Sequence, residues 1–91
     1  MSVQVNIPTM LRNYANGQAS IDVEGVTVGE VLNNLNVACS GIGERVHDDN
    51  GNVRRFINVY LDEEDIRFLS DLDTEIANSK ELSIVPAVAG G

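Results

Sequence analysis

The sequence predicts an α+β domain, a mixed sheet of four to five strands with one main helix packed on one face. Three observations lead there. Apolar and polar residues alternate at Val3-Gln4-Val5-Asn6-Ile7 and again at Ala19-Ser20-Ile21-Asp22-Val23-Glu24, the pattern of a strand with one face buried. Between Val28 and Cys39 the apolar residues recur at helical spacing instead. A short apolar run, Leu82-Ser83-Ile84-Val85, comes much later and reads as a buried strand.

In chain order, the first strand ends at Pro8, because proline cannot extend a hydrogen-bonded ladder. Met10 to Tyr14 fits a short turn of helix, and Asn16-Gly17-Gln18 is a turn signal, so the second strand returns antiparallel to the first. Gly25 breaks its alternation. Thr27 and Glu30 then form a T-x-x-E capping box, in which each side chain satisfies a backbone donor left open at the helix start. Behind it, Val28, Val31, Leu32, Leu35 and Ala38 or Cys39 make one apolar stripe over about three turns. Asn33, Asn34 and Asn36 face water, and Ser40-Gly41 offers the stop.

Ile42 to Arg45 makes another turn, and His47 to Asn52 is a polar loop containing an Asn-Gly turn. In the strand Arg55 to Leu61, Ile57, Val59 and Leu61 share one face, with Phe56, Asn58 and Tyr60 on the other. The acidic cluster Asp62 to Asp65 reads as a solvated turn before a short strand near Ile66 to Phe68, where charge discourages edge pairing. Ser70 to Ser79 reads as a loop with a helical turn around Thr74 to Ala77. The last strand, Leu82 to Val85, is stopped by Pro86.

The order is therefore β-β-α-β-β-β. A helix with a single apolar stripe covers one face of the sheet. A core strand at the end of this order sits centrally beside the first strand, parallel to it after the helical crossover. That arrangement is a ubiquitin-like β-grasp roll. Residues 1–86 form the β-grasp domain and residues 87–91 a flexible Gly-Gly tail.

Bulk properties narrow the function. With 91 residues the chain is one domain, long enough for a single modest core. A hydrophobic content of 43% fits a folded chain rather than a disordered one. The longest apolar runs are too short to span a membrane, and the first residues carry no signal-peptide pattern, so the expected compartment is the cytoplasm. The net charge of −8 argues against nucleic acid and anionic membrane surfaces as partners. It suits a basic partner surface, although from charge alone plain solubility is the better reading.

The segment Pro86-Ala87-Val88-Ala89-Gly90-Gly91 has no charge and no large side chain. Extended from Val85 it reaches about 20 Å, enough to carry the Gly91 carboxylate into a deep site on another protein. Without Cβ atoms, Gly90 and Gly91 fit a narrow channel. Ala87 and Ala89 keep the thread thin, and Pro86 limits the entropy lost when a partner orders it.

These residues carry a family resemblance over the whole chain. The β-β-α-β-β-β order closing in Gly90-Gly91 resembles the MoaD/ThiS family of β-grasp sulfur carriers, which serve molybdopterin, thiamine and cysteine synthesis. "GVTVGEVLNNL", Gly25 to Leu35, is similar to the helix entry of the molybdopterin-type carriers. "IPTMLR" (Ile7 to Arg12), "RFINVYLDEEDIRF" (Arg55 to Phe68) and "IVPAVAGG" (Ile84 to Gly91) resemble the mycobacterial-type cysteine-biosynthesis branch. The Gly-Asp often found before the last strand is replaced by Asn78-Ser79-Lys80-Glu81.

The resemblance implies a sulfur carrier, not an enzyme. It implies that an ATP-dependent E1-like enzyme adenylates the Gly91 carboxylate and that sulfur attack converts it to a thiocarboxylate. Val88, Ala89 and Gly90 would enter the partner. In the cysteine branch a PLP-dependent synthase receives the sulfur, and a metal-dependent peptidase releases the cysteine. ATP, PLP and metal belong to these partners, and no cofactor is expected on this chain. Molybdopterin or thiamine synthesis, or conjugation of Gly91 to other proteins as a ubiquitin-like modifier, are the alternatives. Phe56, Tyr60 and Val85, on the sheet face opposite the helix, are the candidate docking residues, with packing of Phe56 or Tyr60 under a loop as the competing reading.

Other reactive residues read as structural. Cys39 lies on the apolar stripe as a buried thiol, and a pairing with His47, the sole histidine, would need a loop residue as base. One Cys and one His make a poor zinc site. Asp62 to Asp65 lacks the spacing of a calcium loop. Arg54-Arg55 could meet an acidic partner, but a solvated strand start is the safer reading.

Overall fold

The computed structural model describes residues 2–86. The strands are β1 (Ser2–Asn6), β2 (Ser20–Glu24), β3 (Ile57–Leu61), β4 (Glu64–Asp65) and β5 (Glu81–Pro86); the helices are α1 (Val28–Ala38) and the short α2 (Ile42–Val46). Three 3₁₀ segments complete it, Thr9–Ala15, Ile66–Phe68 and Asp71–Asp73. The sheet order is β2-β1-β5-β3-β4. β1 and β5 run parallel at its centre, with Val5 opposite Leu82, and the other neighbours are antiparallel. The expected mixed sheet with a central last strand is the one observed.

Helix α1 starts as its sequence dictates. Thr27 Oγ1 accepts the Glu30 N–H at 3.2 Å, while Glu30 Oε1 accepts the N–H of Val26, one residue before the cap. Gly25 admits the chain to the helix because a Cβ there would lie 2.7 Å from Val31 Cγ2 and 2.9 Å from the Val31 nitrogen. Val28, Val31, Leu32 and Leu35 turn inward, and Cys39 completes the stripe; Ala38 is exposed. This face meets Val3, Val5, Val59, Leu61, Leu82 and Ile84 from the sheet. Each such side chain contributes about 1.5–3 kcal/mol on burial. Gly41, at φ 96°, turns the chain directly into α2.

Four expectations need correction. Strand β4 is Glu64–Asp65, and Ile66–Phe68 is a 3₁₀ turn, because Asp65 caps it by accepting the Arg67 N–H at 2.9 Å. The acidic cluster is not wholly solvated: Asp65 is buried and paired with Arg67 at 2.7 Å. The helical turn expected at Thr74 to Ala77 falls instead at Asp71–Asp73, and Ile76 is buried against the core from irregular backbone. Strand β3 starts at Ile57 rather than Arg55, since its register with β5 ends at the Ile57–Pro86 pair; Pro86 therefore belongs to β5 as its last residue.

Candidate functional site

The element that positions the candidate site is β5. Leu82 and Ile84 point into the core, while Ser83 and Val85 alternate to the opposite face. On that face Asn6 Nδ2 donates to Ser83 Oγ at 2.9 Å and to Glu81 Oε2 at 3.2 Å, tying β1 to β5 from the solvent side. The parallel pairing with β1 extends to Ser83, whereas β3 accompanies β5 to Pro86. The strand thus runs beyond β1 and leads to residue 87 from a position fixed on one side by β3. Gly91, Val88, Ala89 and Gly90 lie outside the described residues.

Two adjoining grooves meet at Pro86. One, of about 470 Å³, is lined by Pro8, Met10, Arg12, Val85 and Pro86 among others. The second, of about 460 Å³, is lined by Met10, Arg45, Arg54, Arg55, Phe56 and Pro86. Met10 is 64% exposed, Phe56 54% and Val85 40%, so an apolar surface open to solvent borders Pro86. The docking candidates Phe56 and Val85 both lie here. Tyr60 is half-buried opposite Ser83, farther from Pro86, and lines neither groove. Sequence alone offers Arg54-Arg55 as a contact for an acidic partner, as the less favoured reading, and does not point to Met10, Arg12 or Arg45. These residues come from three separate segments, and only folding brings them to one end of β5.

The other candidates behave as structural groups. Cys39 is a core residue whose thiol is pushed above its ordinary pKa by burial. His47 lines a neighbouring surface groove with Asn36, Glu44, Asp48 and Arg54, the last two shared with the second groove; burial lowers its pKa, opposed by its interactions with Gly43 and Asp48. Asp62 Oδ1 accepts the N–H groups of Lys80 at 2.9 Å and Glu81 at 3.2 Å, which holds its carboxyl below the usual range. Asp65 is likewise held low, first by its hydrogen bond with the Arg67 side chain. The acidic cluster therefore spends carboxylate lone pairs inside the protein. Among the described residues no three His, Cys, Asp or Glu side chains gather as a metal site would require, and no helix is long and apolar enough to cross a membrane.

A five-stranded mixed sheet crossed on one face by α1, with the last strand at its centre, defines a ubiquitin-like β-grasp protein. The sequence pattern of the ThiS family matches residues 5–91, and the chain belongs to that family. It is 45% identical to the sulfur carrier protein CysO of Mycobacterium tuberculosis, over the full length of both chains. Among solved structures it is similar to a chain of the Amycolatopsis orientalis BexX/CysO complex, with a TM-score of 0.90, 40% identity and coverage of 98% of this chain and 99% of that one. SAMP1 from Haloferax volcanii superposes with a TM-score of 0.82 at 29% identity, covering all of both chains.

Proposed function

We propose that this protein is a sulfur carrier that works through the carboxylate of Gly91, and that its sulfur goes to cysteine synthesis. The observation that carries this reading is the full-length 45% identity to a sulfur carrier protein, CysO. The geometry supports it: the central strand ends at Pro86 beside an exposed apolar surface suited to docking.

The chemistry follows from the carboxylate, which is a poor acyl donor. Its oxygen attacks the α-phosphorus of ATP on a partner enzyme, and pyrophosphate leaves. A sulfide-level nucleophile then attacks the acyl-adenylate carbonyl and displaces AMP, giving a thiocarboxylate. That group is anionic near neutral pH and a soft nucleophile, able to hand its sulfur to an electrophilic substrate on a PLP-dependent synthase. The sulfur adds to that substrate and leaves the new amino acid acyl-linked to Gly91, first through sulfur and then, after acyl transfer to its amine, through an amide. A metal-dependent peptidase hydrolyses that amide, freeing the amino acid and restoring the carboxylate. This chain supplies the reacting group and the docking surface, and the cofactors belong to the partners.

A second reading has its own support. SAMP1 of Haloferax volcanii, a small archaeal modifier protein by name, shares the fold across its full length. A modifier would use the same activated Gly91 but transfer the acyl group to lysine. ATP–pyrophosphate exchange with the activating enzyme of the same organism, comparing the intact chain with one lacking Gly91, tests the shared step. Exchange with the intact chain and none with the shortened one supports the assignment; equal exchange by both rejects it. Recovery of Gly91 linked to lysines, with no sulfur at the terminus, would favour the modifier reading.

A further inference from the structure

The chain is acidic overall, yet its cations are gathered at one place. Of its six Lys and Arg residues, four (Arg12, Arg45, Arg54 and Arg55) line the two grooves that meet at Pro86, where the carboxylate among the lining residues is Asp48. The opposite end of the β3–β5 pair reverses this composition: Asp62, Glu63, Glu64 and Glu81 line a surface with the single cation Lys80. These poles are separated by the length of β5, about 17 Å from Glu81 to Pro86. Arg54 and Arg55 also border surface lined by Asp65, Asp71 and Asp73, and Arg54 surface lined by Glu44 and Asp49. The positive patch is therefore confined to the side that faces Pro86, and charge along the central strand runs from negative at Glu81 to positive there.

The arginines are held without being neutralised. Arg12 Nε donates to the Ile7 carbonyl at 3.0 Å, Arg45 Nε to the Tyr14 hydroxyl at 2.9 Å, and Arg54 Nε to the Glu44 carbonyl at 2.8 Å. The Arg55 guanidinium lies 5.7 Å from the centre of the Phe56 ring. The single ion pair within 4.0 Å among the described residues is Arg67–Asp65, on another part of the sheet. Asp48 is itself engaged, its Oδ1 accepting the N–H groups of Asn50 and Asn52. Each of the first three guanidiniums is thus oriented through one nitrogen by a neutral acceptor. Its terminal nitrogens have no carboxylate within ion-pair distance among the described residues.

We infer that the activating enzyme presents acidic side chains around the mouth of the channel that receives the tail, and that these arginines dock there around an apolar contact made by Met10, Phe56 and Val85. This rests on the sulfur-carrier reading and adds to it the charge of the partner surface. The net charge points the other way, toward a basic partner, so the local arrangement decides. As the tail root approaches, the near pole dominates because the far one lies beyond a Debye length of about 8–10 Å. The consequence is tail-first encounter, read as association rate and salt dependence.

The test uses the full-length chain and the activating enzyme of the same organism in ATP–pyrophosphate exchange, at low and high ionic strength, with melting temperatures as a folding control. The double variant Arg54→Glu, Arg55→Glu is expected to raise KM for the carrier about tenfold at low salt with kcat little changed, and the difference shrinks at high salt. Arg54→Lys, Arg55→Lys keeps the charge and stays within about threefold of wild type. Reversal at the other pole, Glu63→Lys, Glu64→Lys, has a smaller effect. Unchanged or tighter binding by the glutamate variant, with exchange by wild type intact, overturns this inference and leaves the carrier reading standing. Loss of binding by the glutamate and lysine variants alike also overturns it, because charge would not be the cause. A wild-type chain that the enzyme does not activate overturns the carrier reading and this inference with it.

Discussion

Pro86 lies directly opposite Ile57, the last cross-strand pair of β3 and β5, three residues beyond the point where β1 stops pairing with β5. Proline offers no N–H to continue the ladder and fixes its own φ. The pair therefore marks the end of the β3–β5 ladder among the described residues. Below it Ile84 and Leu82 anchor the same strand in the core. Under the proposed function this divides the labour, with stability in the β-grasp scaffold and the reacting carboxylate at Gly91.

Leu82 tests the scaffold half. It is fully buried between β1 and β3, opposite Val5 and Leu61. Leu82→Ala is expected to cost about 2–5 kcal/mol, a large share of the roughly 5–15 kcal/mol available to a domain of this kind. Denaturant unfolding monitored by circular dichroism measures it. A loss below about 1 kcal/mol would show that β5 is not the packed centre of the sheet.

Thr27 makes a smaller, local prediction. Its hydroxyl supplies the side-chain cap of α1. Thr27→Ala should destabilise the protein by about 1 kcal/mol, while Thr27→Ser, which keeps the oxygen, stays near wild type. Equal melting temperatures for all three proteins would remove the cap from the account.

How far the sequence reveals this architecture depends on periodicity. Val3-Val5-Ile7 and the α1 stripe repeat often enough to define a buried face, and both faces are where the pattern places them. Two-residue β4 is too short to show any period, and hydrophobicity misleads beside it: Phe68 is 85% exposed while Asp65 is buried. Ile66 and Ile76 fill the core as isolated apolar residues in irregular segments, which carry no repeating signal. Phe56 and Val85 could be placed on the sheet's outer side from alternation. The meeting of Arg12, Arg45 and Arg54-Arg55 could not, because three distant segments produce it. Gly90-Gly91 is the opposite case, legible in the sequence and outside the described residues.

Asp62 makes a prediction about acid. Its two backbone N–H donors favour the ionised form, so its folded pKa lies below the ordinary value. The unfolded chain then binds the proton first as pH falls. The stabilisation is complete above the unfolded pKa of about 4 and disappears as pH drops through the folded value. Asp62→Asn should therefore melt below wild type at pH 7, with the gap closing at pH values well under 4. Asparagine is the suitable replacement because it tolerates the residue's φ of 56°. A gap independent of pH would mean that the carboxylate charge contributes nothing.

The most direct test of the central claim is the intact mass of the protein after incubation with its activating enzyme, ATP and a sulfide source, with fragmentation to locate the change. The account predicts a mass gain equal to replacement of one oxygen by sulfur, confined to Gly91. An unchanged terminus, or a mass gain that fragmentation locates at any residue other than Gly91, would contradict it.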